Sequence, residues 1–238
     1  MPKKYLFFLL VLFPAAIFLL YYYGRSVWVP KYRALAGQRT VADVISIYGE
    51  QAVARLAPYF KNAGVIYPPK QVVMLATKDD KELELWASDG ADFKYIRTYD
   101  IKKTSGKLGP KLREGDHQVP EGIYRIIGLN PNSSYHLSLK LNYPNDFDLL
   151  QAKKDGRTNP GSDIFIHGKA LSVGCLAMGD NAIEELFVLV ENVGKQNVKV
   201  VIAPFDPRKQ DLVVPEGSNP IWLGELYNQI EEEFIKFN

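Results

Sequence analysis

The sequence predicts a mixed α/β (α+β) fold with a mostly β core, flanking helices and an apolar segment at its N-terminus. Short runs rich in β-branched and aromatic residues, separated by turn signals, recur between residues 72 and 141. Apolar residues at helical spacing lie before and after these runs. An apolar stretch covers residues 5–23 and follows Lys3 and Lys4. Together these patterns favour one β-rich core with helices on its flanks.

The N-terminal apolar stretch is 19 residues long and is interrupted only by Pro14. At helical rise it spans about 28 Å, close to the hydrocarbon thickness of a bilayer. Exported proteins begin with positive charges, which an apolar run and then a polar chain follow, and this sequence has the same order. We expect residues 1–30 to be a transmembrane signal anchor, with a cleaved signal peptide as the alternative. The rest of the protein is then expected outside the cytoplasmic membrane.

A helical region is expected next, at residues 31–67. Thr40 and Asp43 form a capping box at the start of its first helix. A second helix is expected around residues 53–60, with Pro58 limiting or bending it.

The remaining elements follow from periodicity and from turn residues. Asp180 is predicted to cap a helix that Gly194 stops, and Asn219-Pro220 to begin an amphipathic helix in a C-terminal helical extension, residues 206–238. The polar segment 144–160 is expected to be a surface loop. Strands are predicted at residues 72–76, 83–87, 94–99, 123–127, 134–141, 164–167 and 198–203.

Composition excludes several classes of function. The chain has 47% hydrophobic and 24% charged residues, values typical of a globular protein and not of a disordered one. Its 29 Lys and Arg against 27 Asp and Glu give a net charge of +2, so no nucleic-acid partner is expected. Three histidines and one cysteine leave little material for a metal site, and no nucleotide or metal motif is present. We therefore expect no cofactor and no metal.

The single cysteine, Cys175, lies eight positions after His167, which ends a predicted strand. If a turn brings the two together, the imidazole favours a thiolate–imidazolium pair and lowers the pKa of the thiol. Gly168 and Gly174 let the backbone approach a substrate carbonyl, and amides around Val173 and Gly174 are candidates for an oxyanion site.

Two alternatives compete with this interpretation. Most lone cysteines are small buried hydrophobic residues, but an unpaired thiol in an exported protein risks oxidation, which favours the catalytic role. Residues 170–174 also approximate the nucleophile elbow of serine hydrolases. That arrangement requires a histidine after Ser172 in the chain, and none follows it.

Several separate motifs resemble one known family. They are Lys111-Leu112-Arg113-Glu114-Gly115-Asp116, Val119-Pro120-Glu121-Gly122-Ile123-Tyr124, Tyr135-His136-Leu137-Ser138-Leu139, Tyr143-Pro144-Asn145, His167-Gly168 and Ser172-x-Gly174-Cys175. Together they are similar to the L,D-transpeptidase (YkuD-type) catalytic domain, in its YafK-like branch of Gram-negative bacteria, over residues 68–205. The resemblance implies that Cys175 attacks a peptide carbonyl, that His167 is its base and that the Gly168 carbonyl orients the imidazole.

The resemblance also implies the substrate and the compartment. The expected activity is acyl transfer on peptidoglycan (murein) stem peptides through a Cys175 thioester, in the periplasm, with residues 5–23 in the inner membrane. One alternative is an amidase that hydrolyses the same acyl-enzyme and releases murein-bound lipoprotein or cross-links. Another is a non-catalytic murein-binding protein.

Further residues are candidates for binding substrate. Ser172 is expected to line the cleft or to position its loop. His136 and Tyr143 are candidates for the groove, with a structural role and a simple turn as their alternatives. Val173 and Ala177 depart from the family pattern, which most often has histidine and arginine or asparagine at these positions. These departures leave the usual transpeptidase substrate open.

Overall fold

The computed structural model describes residues 3–90, 92–172, 174–214 and 220–237, with the backbone alone for residues 3–9 and 11. The capping box predicted at Thr40 is confirmed, since its hydroxyl accepts from the Asp43 amide and the Asp43 carboxylate accepts from the Thr40 amide. The helix it begins runs unbroken through Pro58, so the prediction of two helices there is wrong. The helices are α1 (Lys3–Tyr23), α2 (Arg25–Ala36), α3 (Val41–Ala63), α4 (Asp146–Lys154), α5 (Asp180–Val193) and α6 (Leu223–Phe234).

The strands form one eight-stranded mixed sheet of order β3-β2-β1-β8-β4-β5-β6-β7. They are β1 (Gln71–Thr77), β2 (Glu82–Ser88), β3 (Lys94–Asp100), β4 (Gly122–Asn130), β5 (Ser138–Leu141), β6 (Phe165–His167), β7 (Leu176–Ala177) and β8 (Val198–Ala203). The last strand in sequence, β8, lies in the middle of the sheet, parallel to β1 and antiparallel to β4. The predicted α+β class with a β core is confirmed.

Both faces of the sheet are covered by helices. Along β1, Val72 and Met74 point into a core shared with α3 and α5, whereas Val73 and Leu75 point into a second core shared with α6. This alternation is the period of two that a strand imposes on its side chains. Each fully buried side chain of this size contributes about 1.5–3 kcal/mol.

A buried carboxylate, Glu185, joins α5 to α3 and β3. Its side chain is 4% exposed and accepts hydrogen bonds from Arg55 Nε (2.8 Å), Arg97 Nη1 (2.9 Å) and the Tyr99 hydroxyl (2.9 Å). A charge at this depth is tolerated because all of these donors converge on it.

Three predicted elements differ from the structure. The segment 144–160 contains α4, which Asn145 and Asp148 begin with a second capping box. The strand predicted at 134–141 is limited to Ser138–Leu141, because His136 has a φ of 80° that no strand accommodates. Gly179, and not Asp180, occupies the N-cap of α5, because the Asp180 carboxylate accepts from the Lys169 amide instead.

The N-terminal helices contact the core near β6. Arg25 Nε donates to the Ser134 carbonyl at 2.7 Å, and Tyr21 and Tyr22 line a cavity of about 50 Å³ together with Leu171. In the part of the chain that the structure describes, no helix combines the length and the apolar character that a membrane crossing requires. The transmembrane segment expected at residues 5–23 is therefore unsupported by the structure.

Candidate active site

The short parallel pairing of β6 and β7 places His167 and Cys175 on adjacent strands. His167 ends β6 and pairs with Ala177, while Cys175 directly precedes β7. After the turn between His167 and Leu176, the chain therefore returns beside the strand it left. The Met178 amide donates to the His167 carbonyl at 2.8 Å and closes this turn.

His167 is held in one orientation and one tautomer. Its ring is 3% exposed and stacks on Tyr135, with 4.8 Å between ring centroids. Nδ1 lies 2.6 Å from the Gly168 carbonyl oxygen, which can only accept, so Nδ1 carries the proton and Nε2 has a free lone pair. Burial lowers the pKa of His167, and the hydrogen bond to Gly168 offsets part of that effect. The imidazole is therefore a neutral base, oriented by Gly168 as the resemblance implies.

Cys175 differs from expectation in its protonation state. It is 9% exposed, and its Sγ lies 3.9 Å from the Asp163 carbonyl oxygen. Burial raises the pKa of the thiol to about 11, with smaller lowering effects from the Phe165 amide and the Lys111 ammonium and a raising effect from Asp163. The resting residue is a neutral thiol, so the expected thiolate–imidazolium pair is not preformed. Its proton must leave as the thiol attacks.

The amides around the thiol are bonded to two serine hydroxyls. The Gly174 amide donates to Ser105 Oγ (2.5 Å), and the Cys175 amide donates to Ser172 Oγ (3.1 Å). Ser172 also donates to the Cys175 carbonyl at 2.5 Å, so it holds both backbone polar groups of Cys175. Gly174 has a φ of 86°, in the region that favours glycine. A developing oxyanion would have to take the place of these hydroxyls; Val173, the other candidate, lies outside the described residues.

The segment before Ser105 runs along β7 and braces the nucleophile. Lys103 and Ala177 form an isolated antiparallel bridge, and the Lys102 amide donates to the Ala177 carbonyl at 2.8 Å. The loop that follows Ser105 is held by Gln118, whose Oε1 accepts a hydrogen bond from the Lys107 amide at 2.8 Å. Ser105 reaches the active site only because of this long-range pairing.

A model of the L,D-transpeptidase catalytic domain (YkuD) matches residues 63–202 of this chain. The chain belongs to this family. It is also 35% identical over 133 residues to an Escherichia coli (strain K12) protein named "Putative L,D-transpeptidase YafK", which covers 54% of this chain and 52% of the relative. The chain thus spans about half the length of the curated relatives it matches. The resemblance to the YafK-like branch is confirmed.

Solved structures with a similar fold include two bacterial proteins. The helical cell shape determining protein Pgp2 of Campylobacter jejuni is 25% identical, with a TM-score of 0.44 and coverage of 61% of this chain and 54% of Pgp2. Bd1075 of Bdellovibrio bacteriovorus is 21% identical, with a TM-score of 0.42 and coverage of 71% of this chain and 56% of Bd1075.

His136 and Tyr143, two candidates for the groove of this L,D-transpeptidase domain, bond to residues other than His167 and Cys175. His136 Nε2 lies 2.8 Å from Glu184 Oε1, and its ring packs edge-on against Tyr48 of α3. Tyr143 is buried, and its hydroxyl donates to the Pro160 carbonyl at 2.8 Å. Both therefore make structural contacts.

Sequence reasoning missed Tyr135 and Ser105 as site residues. Tyr135 stacks on the His167 imidazole, and the Ser105 hydroxyl accepts from the amide of Gly174, the residue before Cys175. Tyr135 stands in a motif of the resemblance, whereas Ser105 has no local signal. Among the described residues, no group of three or more His, Cys, Asp or Glu side chains is arranged to hold a metal.

Proposed function

We propose that this protein is a cysteine acyl-transfer enzyme acting on peptidoglycan stem peptides. The observation that carries the proposal is the pairing of β6, which ends at His167, with β7, which directly follows Cys175, together with the Nδ1 proton of His167 given to the Gly168 carbonyl. That arrangement leaves Nε2 as the base that a buried, neutral thiol requires.

The proposed reaction has two halves that share one intermediate. Cys175 Sγ attacks the carbonyl of a stem peptide while His167 Nε2 takes the thiol proton. The tetrahedral oxyanion binds the amides of Gly174 and Cys175, in exchange for the serine hydroxyls bonded there. As the thioester forms, the amine leaves with the proton from His167. An acceptor amine then attacks the thioester, gives its proton to His167 and restores the thiol.

Hydrolysis of the same thioester is the second candidate. In that case water replaces the acceptor amine, and the protein is an amidase that releases murein-bound lipoprotein or opens cross-links. Ala177 favours this candidate, because a fully buried methyl side chain paired in β7 stands where most of the family has arginine or asparagine. A side chain of that kind offers no charge or hydrogen bond to an acceptor.

Incubation of the purified protein with isolated sacculi tests the proposal. Mass spectrometry of the digested murein should show new cross-links for transfer, or released peptides for hydrolysis, and a thioester adduct on Cys175 in either case. The Cys175→Ser variant should show none of these products, and circular dichroism should show that it is folded. Binding to sacculi without any product from the wild-type protein would instead identify a non-catalytic murein-binding protein.

We further propose that the protein works in the periplasm, where its substrate lies. Fractionation of cells that produce the full chain should recover it with the periplasmic or envelope fraction. Recovery in the cytosol would contradict this location.

A further inference from the structure

A buried cation lies next to the loop that contacts the thiol. The Lys111 side chain is only 4% exposed, and its Nζ donates to the Arg113 carbonyl (2.9 Å) and to Asp116 Oδ1 (2.5 Å). The Arg113 carbonyl is neutral, and the Asp116 carboxylate forms an ion pair with the ammonium. The mechanism described so far uses no part of this group.

The chain between Pro160 and Asp163 connects this ammonium to the nucleophile. A Cβ placed on Gly161 would lie 2.7 Å from Lys111 Cε and 3.3 Å from its Nζ, so the glycine backbone packs directly on the lysine. Two residues later, the Asp163 carbonyl oxygen lies 3.9 Å from Cys175 Sγ. One short backbone segment, residues 161–163, therefore contacts the lysine at one end and the thiol at the other.

We propose that Lys111 is a positioning residue for the nucleophile, whose buried ammonium stabilises the negative charge that forms on Cys175 Sγ as the proton leaves. The inference rests on the proposed function, in which that charge develops beside a neutral imidazole. An ion pair or field effect of this kind is much stronger in a buried, poorly hydrated site than in water. It also explains why a lysine is retained at this depth, where desolvation disfavours a charge.

The other charges around the thiol do not replace this cation. The Asp163 carboxylate opposes a thiolate, but it is 64% exposed and paired with Lys140 at 2.6 Å. Asp116 partly neutralises Lys111, and Glu114 near Gly161 is exposed to solvent.

Within the site, His167 is neutral at rest, since burial lowers its pKa. Lys111 lowers the pKa of Cys175, and Asp163 raises it. Lys111 is thus the cation that acts on the thiol from the protein interior.

Alkylation of Cys175 with two reagents of similar size tests the inference. Neutral iodoacetamide reports the formation of thiolate, and anionic iodoacetate also reports positive charge near Sγ. Lys111→Met should slow iodoacetamide about three- to tenfold, the effect of removing a nearby opposite charge. Lys111→Met should slow the reaction of Cys175 with iodoacetate several-fold more than its reaction with iodoacetamide. Lys111→Arg should restore both rates towards those of the wild type.

A matched control is Lys78→Met. Lys78 is also buried and ion-paired, to Glu121 at 2.9 Å, but its ammonium also donates to the Gly109 and Val119 carbonyls and is not among the charges that shift the pKa of Cys175. Its loss should lower the melting temperature and leave the ratio of the iodoacetate rate to the iodoacetamide rate unchanged.

Two results would overturn the inference. One is a folded Lys111→Met protein with wild-type rates for both reagents. The other is an equal change in both rates, which indicates altered access and not lost charge. If Lys111→Met does not fold, Asp116→Asn gives the opposite test: it leaves the Lys111 charge uncompensated and should raise the ratio, and an unchanged ratio would contradict the inference.

Alkylation requires no murein, so the two proposals can fail separately. If the alkylation of Cys175 depends on Lys111 but the protein gives no product with sacculi, only the proposed function is contradicted. Murein products together with Lys111-independent alkylation would contradict only the role of Lys111.

Discussion

Unfolding the protein should make its single thiol more reactive. Burial raises the pKa of Cys175 to about 11, from an ordinary value of 9.0. At pH 8 the thiolate fraction is then about 0.1% in the native protein and about 10% in the unfolded chain, a hundredfold difference. The more basic thiolate of the native protein is also the better nucleophile, and this raises its own rate constant about tenfold. The native thiol should therefore react at least about tenfold more slowly, and its limited exposure adds to the difference.

Intact-mass spectrometry after timed iodoacetamide quenching measures both rates. The chain has one cysteine, so every adduct reports on Cys175, and the Cys175→Ser protein supplies the blank. The native rate should rise steadily with pH from 6 to 9. A native rate at pH 8 equal to that in concentrated guanidinium, or a plateau between pH 5 and 7, would refute this reasoning, because a plateau is the signature of a preformed ion pair.

Further substitutions test the surroundings of the thiol. His167→Ala should remove nearly as much murein activity as Cys175→Ser, and the double variant should lose no more than either single one, measured as product per hour from sacculi. Because burial lowers the pKa of His167, the wild-type activity should persist at pH 6.5 and decline only at more acidic pH, as a pH profile would show. Ser172→Ala should slow single-turnover acylation by about two- to twelvefold, the equivalent of one hydrogen bond of about 0.5–1.5 kcal/mol, and a thousandfold loss would contradict a positioning role. Glu185→Ala should lower the free energy of unfolding by about 3–5 kcal/mol in urea titrations, because it removes the carboxylate from Arg97 and the buried Tyr99 hydroxyl, while Arg55 keeps Glu184. A loss under about 1 kcal/mol would contradict that account.

The approach of the His167 strand to the segment of Cys175 could be predicted because the signals are local. His167 and Cys175 stand in short motifs with glycines beside them, and the strand that ends at His167 shows its apolar pattern in sequence. The thiol pKa could not be predicted in the same way. It depends on burial by loops from distant parts of the chain, so the expected ion pair was wrong although both residues were found.

Errors elsewhere have the same physical origin. The positive φ of His136 is stabilised by tertiary contacts, among them Arg39 Nη2 donating to the His136 carbonyl at 3.1 Å, and alternation alone predicts a strand there. The strand β7 has two residues, too few for any periodicity. Asn145 and Asp148 did carry a capping signal, but the polar composition of the segment obscured the helix they begin.

The position of β8 has a consequence for how the chain can fold. Within the sheet, β8 joins β1, β2 and β3 to β4, β5, β6 and β7, because it bonds to β1 on one side and to β4 on the other. The bridge between Lys103 and Ala177 adds a shorter link between the two halves. Until residues 198–203 have emerged, the chain therefore lacks the strand that pairs the two halves of the sheet, β1 to β3 and β4 to β7, along their length. Closing them requires contacts between residues that are more than 120 positions apart, such as Val72 and Val198, and such contacts form slowly. Cys175 precedes that strand in the chain, so the surroundings that bury its thiol stay incomplete until β8 has paired with β1 and β4.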